Sequence, residues 1–127
     1  MHDTVADMLT RIRNAQKAKH RYVDIRKSKM NREIASVLQK KGFVSKALVD
    51  EKKHFFRLFL RYNARMPIIH GLKRISRPGR RVYVKAEKIP YIFDGLGITV
   101  LSTSKGIMDG ETARKEGFGG ELLCSVW

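Results

Sequence analysis

Ser102, Thr103, Ser104, Lys105 and Gly106 stand in a row directly behind the apolar run ITVL. Three hydroxyls, one ammonium and one glycine admit three kinds of chemistry: a serine activated for acyl transfer, a cradle for a nucleotide phosphate, or a grip on a larger polyanion. The phosphate cradle needs several glycines ahead of a Lys-Ser or Lys-Thr pair and a helix right behind it. Here the order is reversed, and Gly95 and Gly97 precede the apolar run rather than follow it. An activated serine needs a base and a group that orients the base, and no His, Asp or Glu is spaced to complete such a triad. Glu116 and Glu121 flank a glycine-rich turn and read as solvated turn carboxylates. Cys124 is the only cysteine, so neither an intrachain disulfide nor a thiolate metal site is available, and His2, His20, His54 and His70 lack metal-ligand spacing. No catalytic residue, metal or cofactor is expected. The polyanion reading remains, because hydroxyls bond phosphates, 2′-hydroxyls and base edges while glycine lets the backbone come close. The bland reading is that these hydroxyls merely end a strand and open a turn.

Charge decides between the two. The 127 residues carry 27 Lys and Arg against 12 Asp and Glu, a net +15. Self-repulsion on that scale weakens a compact chain unless an anion offsets it. Nucleic acid is the first candidate, because each neutralised phosphate releases counterions. An anionic membrane is the second, but no apolar run is long enough to span one, and MHDTVADMLTR lacks a basic flank and long apolar stretch. Two basic runs stand out. Arg11 to Arg32 has Asp24 as its single acid, and Lys73 to Lys88, with Arg77 and Arg80 at its turn, has only Glu87. Tyr22, Tyr83 and Tyr91 are candidates to stack on unpaired bases. A sequence-nonspecific or DNA-binding basic protein is the alternative, with Lys29, Arg32, Lys40 and Lys41 entering a major groove on one helix. The spacing to the preceding helix is too long for a tight helix-turn-helix. A hydroxyl-rich loop on a two-module chain suits folded RNA better.

The elements that must carry these residues follow from periodicity. Val5, Met8, Leu9 and Ile12 predict a helix over 3–19, with Asp3 or Thr4 as its cap. A short strand is expected around Tyr22, Val23 and Ile25. A second helix is expected over 29–41, with the stripe Met30, Ile34, Val37 and Leu38, capped by Ser28 and stopped by Gly42. FVSKALV (43–49) and FFRLFLR (55–61) read as antiparallel strands around the turn DEKKH. Phe56, Leu58 and Leu60 share one face, leaving Phe55 and Phe59 on a face either covered by the helices or partly exposed. The second half holds all three prolines and most of the glycines, and reads as mainly β. Strands are expected at 68–76, 80–85, just ahead of STSKG and at 119–127, with a turn at RPG (77–79). One helical turn fits AEKIPYIF, and a short helix fits 109–117, capped by Asp109 and ended by Gly117. The expected fold class is α+β in two small modules: an N-terminal α-β-α-β-β unit over residues 1–65 and a mainly β, RNA-binding unit over 66–127.

At these residues the sequence resembles small-subunit ribosomal protein S8 of the bacterial and organellar type. The stretches that carry the resemblance are DTVADMLTRIRNA (3–15), SRPGRRVYV (76–84), GLGITVLSTSKGIMD (95–109) and ARKEGFGGELLCSVW (113–127). The resemblance runs end to end and implies the same two-module fold. It implies binding to the central domain of small-subunit ribosomal RNA, a place near ribosomal proteins S5 and S12, a single copy per ribosome, and no membrane or cofactor. It implies a ribosome of the cytoplasm or of an organelle. In some bacteria the family also represses its own operon messenger. It further implies that Ser102, Thr103, Ser104, Lys105 and Gly106 form the main RNA loop, with Glu121 shaping the same surface by accepting hydrogen bonds. Thr4, Arg13, Asn14 and Lys29 fall where the family's N-terminal module touches neighbouring RNA. Two departures are visible. Thr4 stands where many members have proline, and Gly110 loosens the start of the short helix.

Overall fold

The computed structural model describes residues 3–127; Met1 and His2, and with them the sequence reading of His2, lie outside. Among the described residues, three helices and ten strands form an α+β fold with two compact units, Thr4–His70 and Gly71–Trp127, the latter including Asp3.

In the first unit the order is α1 (Thr4–Lys17), β1 (Tyr22–Arg26), α2 (Lys29–Lys40), β2 (Val44–Val49), β3 (Phe55–Leu60), β4 (Tyr62–Asn63) and β5 (Met66–Pro67). Strands β1, β3 and β2 make an antiparallel sheet with β3 in the middle. Alternation along β3 turns Phe56, Leu58 and Leu60 inward, and all three are buried, as are Val5, Met8, Leu9, Ile12, Ile25, Ile34 and Leu38. Each fully buried side chain of this size contributes about 1.5–3 kcal/mol of hydrophobic stabilisation. The opposite face of β3 is partly open: Phe55 is 41% exposed and Phe59 half-buried. Arg57 bridges that face, paired with Asp24 at 3.0 Å and lying 4.0 Å over the Tyr22 ring. Ser28 caps α2, its hydroxyl accepting from Asn31 N–H at 3.0 Å.

Helix ends follow one rule. After α2 the chain reverses at Gly42 (φ +83°), with Gly42 N–H bonding to Gln39 C=O and Phe43 N–H to Leu38 C=O. After α1 the same pair of bonds forms, from Lys19 to Gln16 and from His20 to Ala15, but the left-handed position is Lys19 (φ +61°). The two-residue loop between β4 and β5 likewise places Ala64 and Arg65 at φ +50° and +69°. Such a turn favours Asn-Gly, because only residues without a conflicting Cβ take these angles easily. Lys19 Nζ donates to the Arg65 carbonyl at 2.8 Å, tying the two strained positions together.

The second unit contains β6 (Leu72–Arg74), β7 (Tyr83–Val84), β8 (Ile98–Thr103), β9 (Gly106–Asp109), α3 (Gly110–Glu116) and β10 (Gly120–Val126), with 3₁₀ turns at Ala86–Lys88 and Phe93–Gly95. β10 is central. One edge pairs with β8, the other with β7 and then β6, and β9 extends the sheet beyond β8. Ile89, Leu101, Ala113 and Leu122 form a buried cluster, flanked by Ile75, Val82, Val84 and Met108. The expected long strands at 68–76 and 80–85 shrink to three and two residues, because β10 offers a single edge that both must share. Strand β9 is absent from the sequence reading. At Gly110 a Cβ would lie 2.2 Å from Thr99 Oγ1, so the close packing of α3 on β8 at this point uses the glycine.

The β4–β5 turn supplies a stability test. Arg65→Gly removes the Cβ conflict at φ +69° and keeps the carbonyl that Lys19 uses. We expect an increase of about 0.5–1 kcal/mol in unfolding free energy after the entropy cost of glycine, measured by urea denaturation. A decrease would show that the turn is not strained.

Candidate nucleic-acid interface

The STSKG stretch is a hairpin tip. Ser102 and Thr103 end β8, Ser104 and Lys105 form the turn, and Gly106 opens β9, with Thr103 paired to Gly106. Neither Ser104 nor Lys105 has positive φ, so the chain reversal falls on Gly106 at φ +113°. Thr103 is occupied within the turn. Its hydroxyl donates to the Gly106 carbonyl at 2.8 Å and accepts from Lys105 N–H at 3.2 Å. No side-chain hydrogen bond within the described residues engages Ser102 or Ser104. Ser104 and Lys105 are exposed and Ser102 half-buried. The three hydroxyls therefore divide into one that fixes the turn and two left without a side-chain hydrogen bond, of which Ser104 is exposed.

Glu121 sits beside this hairpin through strand register. It pairs across β10–β8 with Ser102 and across β10–β7 with Tyr83, which is 69% exposed. The close approach depends on Gly119 and Gly120: a Cβ on Gly120 would lie 2.2 Å from the Ser102 carbonyl, and one on Gly119 2.5 Å from that of Val84. The carboxylate does not reach into the STSKG turn. It accepts from the buried Ser76 hydroxyl and from Arg81 Nη1 at 2.9 Å, while Ser76 Oγ itself accepts from Val82 N–H at 3.2 Å. Burial pushes the Glu121 carboxyl up, but the hydrogen bonds from Ser76 and Arg81, with the charges of Arg81 and Arg74, outweigh it and leave the pKa below the ordinary value. Reading Glu121 as a solvated turn carboxylate is thus corrected, since only 13% of its side chain is exposed. The sequence reading does not anticipate Ser76 and Arg81 as partners of Glu121; their signal is a serine and an arginine bracketing the RPGR turn. That turn closes by reciprocal backbone bonds between Arg77 and Arg80, both of whose side chains are exposed.

The basic runs are not uniformly available. Arg74 is 10% exposed, chelates Asp3 at 3.2 and 3.4 Å and donates to the Leu123 carbonyl, so it is structural. Lys27 is held by the Asp50 and Lys53 carbonyls. Lys17, Arg21, Lys29 and Arg32 are exposed on the first unit, as are Arg13 and Asn14. The buried Asn31 amide donates to the carbonyls of Arg26 and Thr4, which brings the starts of α1 and α2 together and sets Thr4 near Lys29. Arg13 and Asn14 lie farther along α1, roughly 13–15 Å from Thr4 at the helical rise. These four residues therefore make two places on the first unit, not one.

The lone thiol takes no part. Cys124 is buried in β10, and burial pushes its pKa up to about 12.

The family model for ribosomal protein S8 matches residues 3–127. The chain belongs to the ribosomal protein S8 family. The small ribosomal subunit protein uS8 of Chlamydia caviae is 57% identical over 128 residues, covering 98% of this chain and 96% of that one. Its counterpart in Chlamydia abortus is 56% identical with the same coverage. That of Geotalea uraniireducens is 51% identical over 130 residues, covering 100% and 98%. Ribosomal protein S8 is a structural, non-enzymatic protein, so the Ser-Lys pair at 104–105 is not a nucleophile with its base.

Acid titration tests the Glu121 arrangement. With the folded pKa depressed, its stabilisation is full above the unfolded carboxylate value of about 4.3 and fades as pH falls through the lower folded value. Glu121→Gln should lower the melting temperature at pH 7, and the gap to the parent should close below about pH 4. A gap that is constant with pH would overturn the ionised assignment.

Proposed function

We propose that this chain is a structural constituent of the small ribosomal subunit that binds the central domain of small-subunit ribosomal RNA directly. The observation that carries the reading is the hairpin tip: Thr103 locks the turn from within, while Ser104 and Lys105 are exposed at its end and the half-buried Ser102 keeps its hydroxyl unbonded. Glu121 supports it from the neighbouring strand by holding Arg81 beside the Arg77–Arg80 turn. Neutral hydroxyls on a rigid turn discriminate by hydrogen-bond geometry, whereas the net +15 attracts any phosphate backbone. Charge supplies the encounter and the hydroxyls supply the choice of site.

Family membership supports the finer parts of this reading. The resemblance makes ribosomal proteins S5 and S12 its neighbours, Thr4, Arg13, Asn14 and Lys29 a second set of RNA contacts, and the protein's own operon messenger a further RNA ligand. A nonspecific or DNA-binding role is the competing reading, and the same experiment separates the two.

Binding is measured across a salt series to three labelled nucleic acids: a central-domain fragment, a scrambled RNA of equal length, and duplex DNA. Tight binding to the fragment that survives physiological salt is expected. Equal affinity for all three, collapsing together as salt rises, would leave only a polyanion binder. Ser104→Ala should cost about 1–3 kcal/mol on the fragment, and little on scrambled RNA. Arg80→Ala or Lys17→Ala should weaken all RNAs alike and reduce the salt slope by about one unit. Equal losses on both RNAs for Ser104→Ala would sink the specific loop.

A further inference from the structure

The three-stranded sheet of the first unit leaves one face open. Register places Tyr22 and Lys46 on either side of Phe59, and Asp24 and Leu48 on either side of Arg57. Phe55, Arg57 and Phe59 alternate with the buried Phe56, Leu58 and Leu60 and so share this face. Tyr22 is 42% exposed, Leu48 53% and Phe55 41%. Leu48, Val49, Phe55 and Arg57 enclose a hollow of about 230 Å³, with Asp24, Asp50 and Lys53 also on its wall. Sites for drug-sized molecules run from about 300 to 1,000 Å³, so this one suits a single ring system.

Arg57 gives the hollow its chemistry. Its Nε donates to Asp24 Oδ1 at 3.0 Å and its Nη2 to Oδ2 at 3.4 Å. The guanidinium also lies 4.0 Å over the Tyr22 ring, which packs in turn on Phe59 with centroids 5.8 Å apart. Arg57 lines the hollow and Tyr22 does not, so the ring backs the guanidinium from the far side. A planar cation is thus held by its edge and by one face, with the other face toward the hollow. Guanidinium planes and aromatic rings both stack unpaired bases, and Phe55 adds a ring to the same wall. Asp50 is exposed, and its Oδ1 accepts from Lys52 N–H at 3.0 Å, which orients the carboxylate and leaves it lone pairs for a further donor. Lys46 and Lys53 are exposed beside it, Lys46 with its Nζ 4.9 Å over the Phe59 ring.

We infer that this hollow takes one unpaired RNA base bearing an exocyclic amino group. The base stacks on Arg57 beside Phe55, its amino group donates to Asp50, and its flanking phosphates meet Lys46 and Lys53. Shape and charge together select this occupant. A flat ring covers the whole guanidinium face, whereas an aliphatic side chain would desolvate that face without replacing its contacts. Asp24 is already neutralised by Arg57, so the rim presents lysines to a phosphate backbone. A base inside a duplex is stacked on its own neighbours, so the hollow admits only an unpaired one. The inference rests on the RNA-binding reading of the chain, and it uses neither the STSKG hairpin nor Thr4, Arg13, Asn14 and Lys29.

The test uses the full chain and single-stranded RNA hexamers of adenine, cytosine or uracil at physiological salt. Affinity is measured together with the methyl resonances of Leu48 and Val49. The adenine and cytosine hexamers should bind about fivefold tighter than the uracil one, which lacks the amino group, and should shift both methyl signals through ring currents. Arg57→Lys keeps the charge and removes the plane, and should bring all three hexamers to the uracil level. Leu48→Glu, at a wall position open to solvent, should do the same by repelling phosphate while leaving Arg57 in place. Equal affinity for the three hexamers, unmoved methyl signals, or parental binding by both variants would overturn the hollow. If the hexamers fail while the central-domain fragment still binds, the hollow falls and the RNA reading stands. Failure of the fragment as well would overturn that reading. In small subunits, a photo-crosslinking p-benzoyl-phenylalanine in place of Lys53 should yield an RNA adduct. A protein adduct alone, or none, would overturn the assignment of this face to RNA.

Discussion

The candidate interface depends on how closely β10 can approach its neighbours at its first residues. Gly119 and Gly120 allow the strand to enter between the carbonyls of Val84 and Ser102, where any side chain would collide. That entry sets the register in which Glu121 lies between Tyr83 and Ser102. It also delivers Leu122 to the cluster beneath α3. A single backbone constraint thus joins the hydroxyl hairpin, the RPGR turn and the core. An acid at the centre of a cationic surface then has a local purpose. It satisfies the buried Ser76 hydroxyl and holds Arg81, which would otherwise be repelled by its basic neighbours.

Net charge describes the whole chain, but its cations do different jobs. Arg74 is nearly buried in a chelate with Asp3, Lys27 binds two carbonyls, Arg57 is stacked and paired, and Arg114 covers a tyrosine. Each completes the fold. Arg77, Arg80 and Lys105 on the second unit, and Lys17, Arg21 and Lys29 on the first, project into solvent. Exposed charges of one sign repel one another weakly through water and are readily screened. The fold tolerates them until a polyanion takes over that role.

Much of this was legible in the sequence, because the signals were local. The stripe of α2, its Ser28 cap and its Gly42 stop all obey short-range rules, and so do the Asp109 cap and Gly117 stop of α3. The alternation of β3 foretold which of its residues are buried. What escaped was set by pairing at a distance. β9 is too short and too weakly alternating to be seen before its partner is known, and the shrinkage of β6 and β7 follows from sharing one edge of β10. Gly110 reads as a loosened helix start because Thr99, which packs against it, lies eleven positions earlier on β8. Within the candidate site, STSKG was visible as a cluster of polar groups. The division of labour among its hydroxyls was not, since Thr103 and Ser104 differ only in which way the turn directs them.

In the proposed RNA loop, that division would let a small loop be selective on so cationic a chain. A hydroxyl free to rotate on a mobile loop would offer its bond to many acceptors and lose rotamer entropy on each. Thr103 removes the mobility of the loop beforehand by closing the turn with two bonds, and Gly106 supplies the one backbone angle that the closure needs. Ser104 is then presented from a fixed backbone, and only its own side chain is left to order on contact. A neutral donor and acceptor in a desolvated contact gains little when matched and costs more when left unmatched. Discrimination at the proposed loop would therefore come chiefly from what the hydroxyls reject, and the surrounding cations could bind strongly without erasing it.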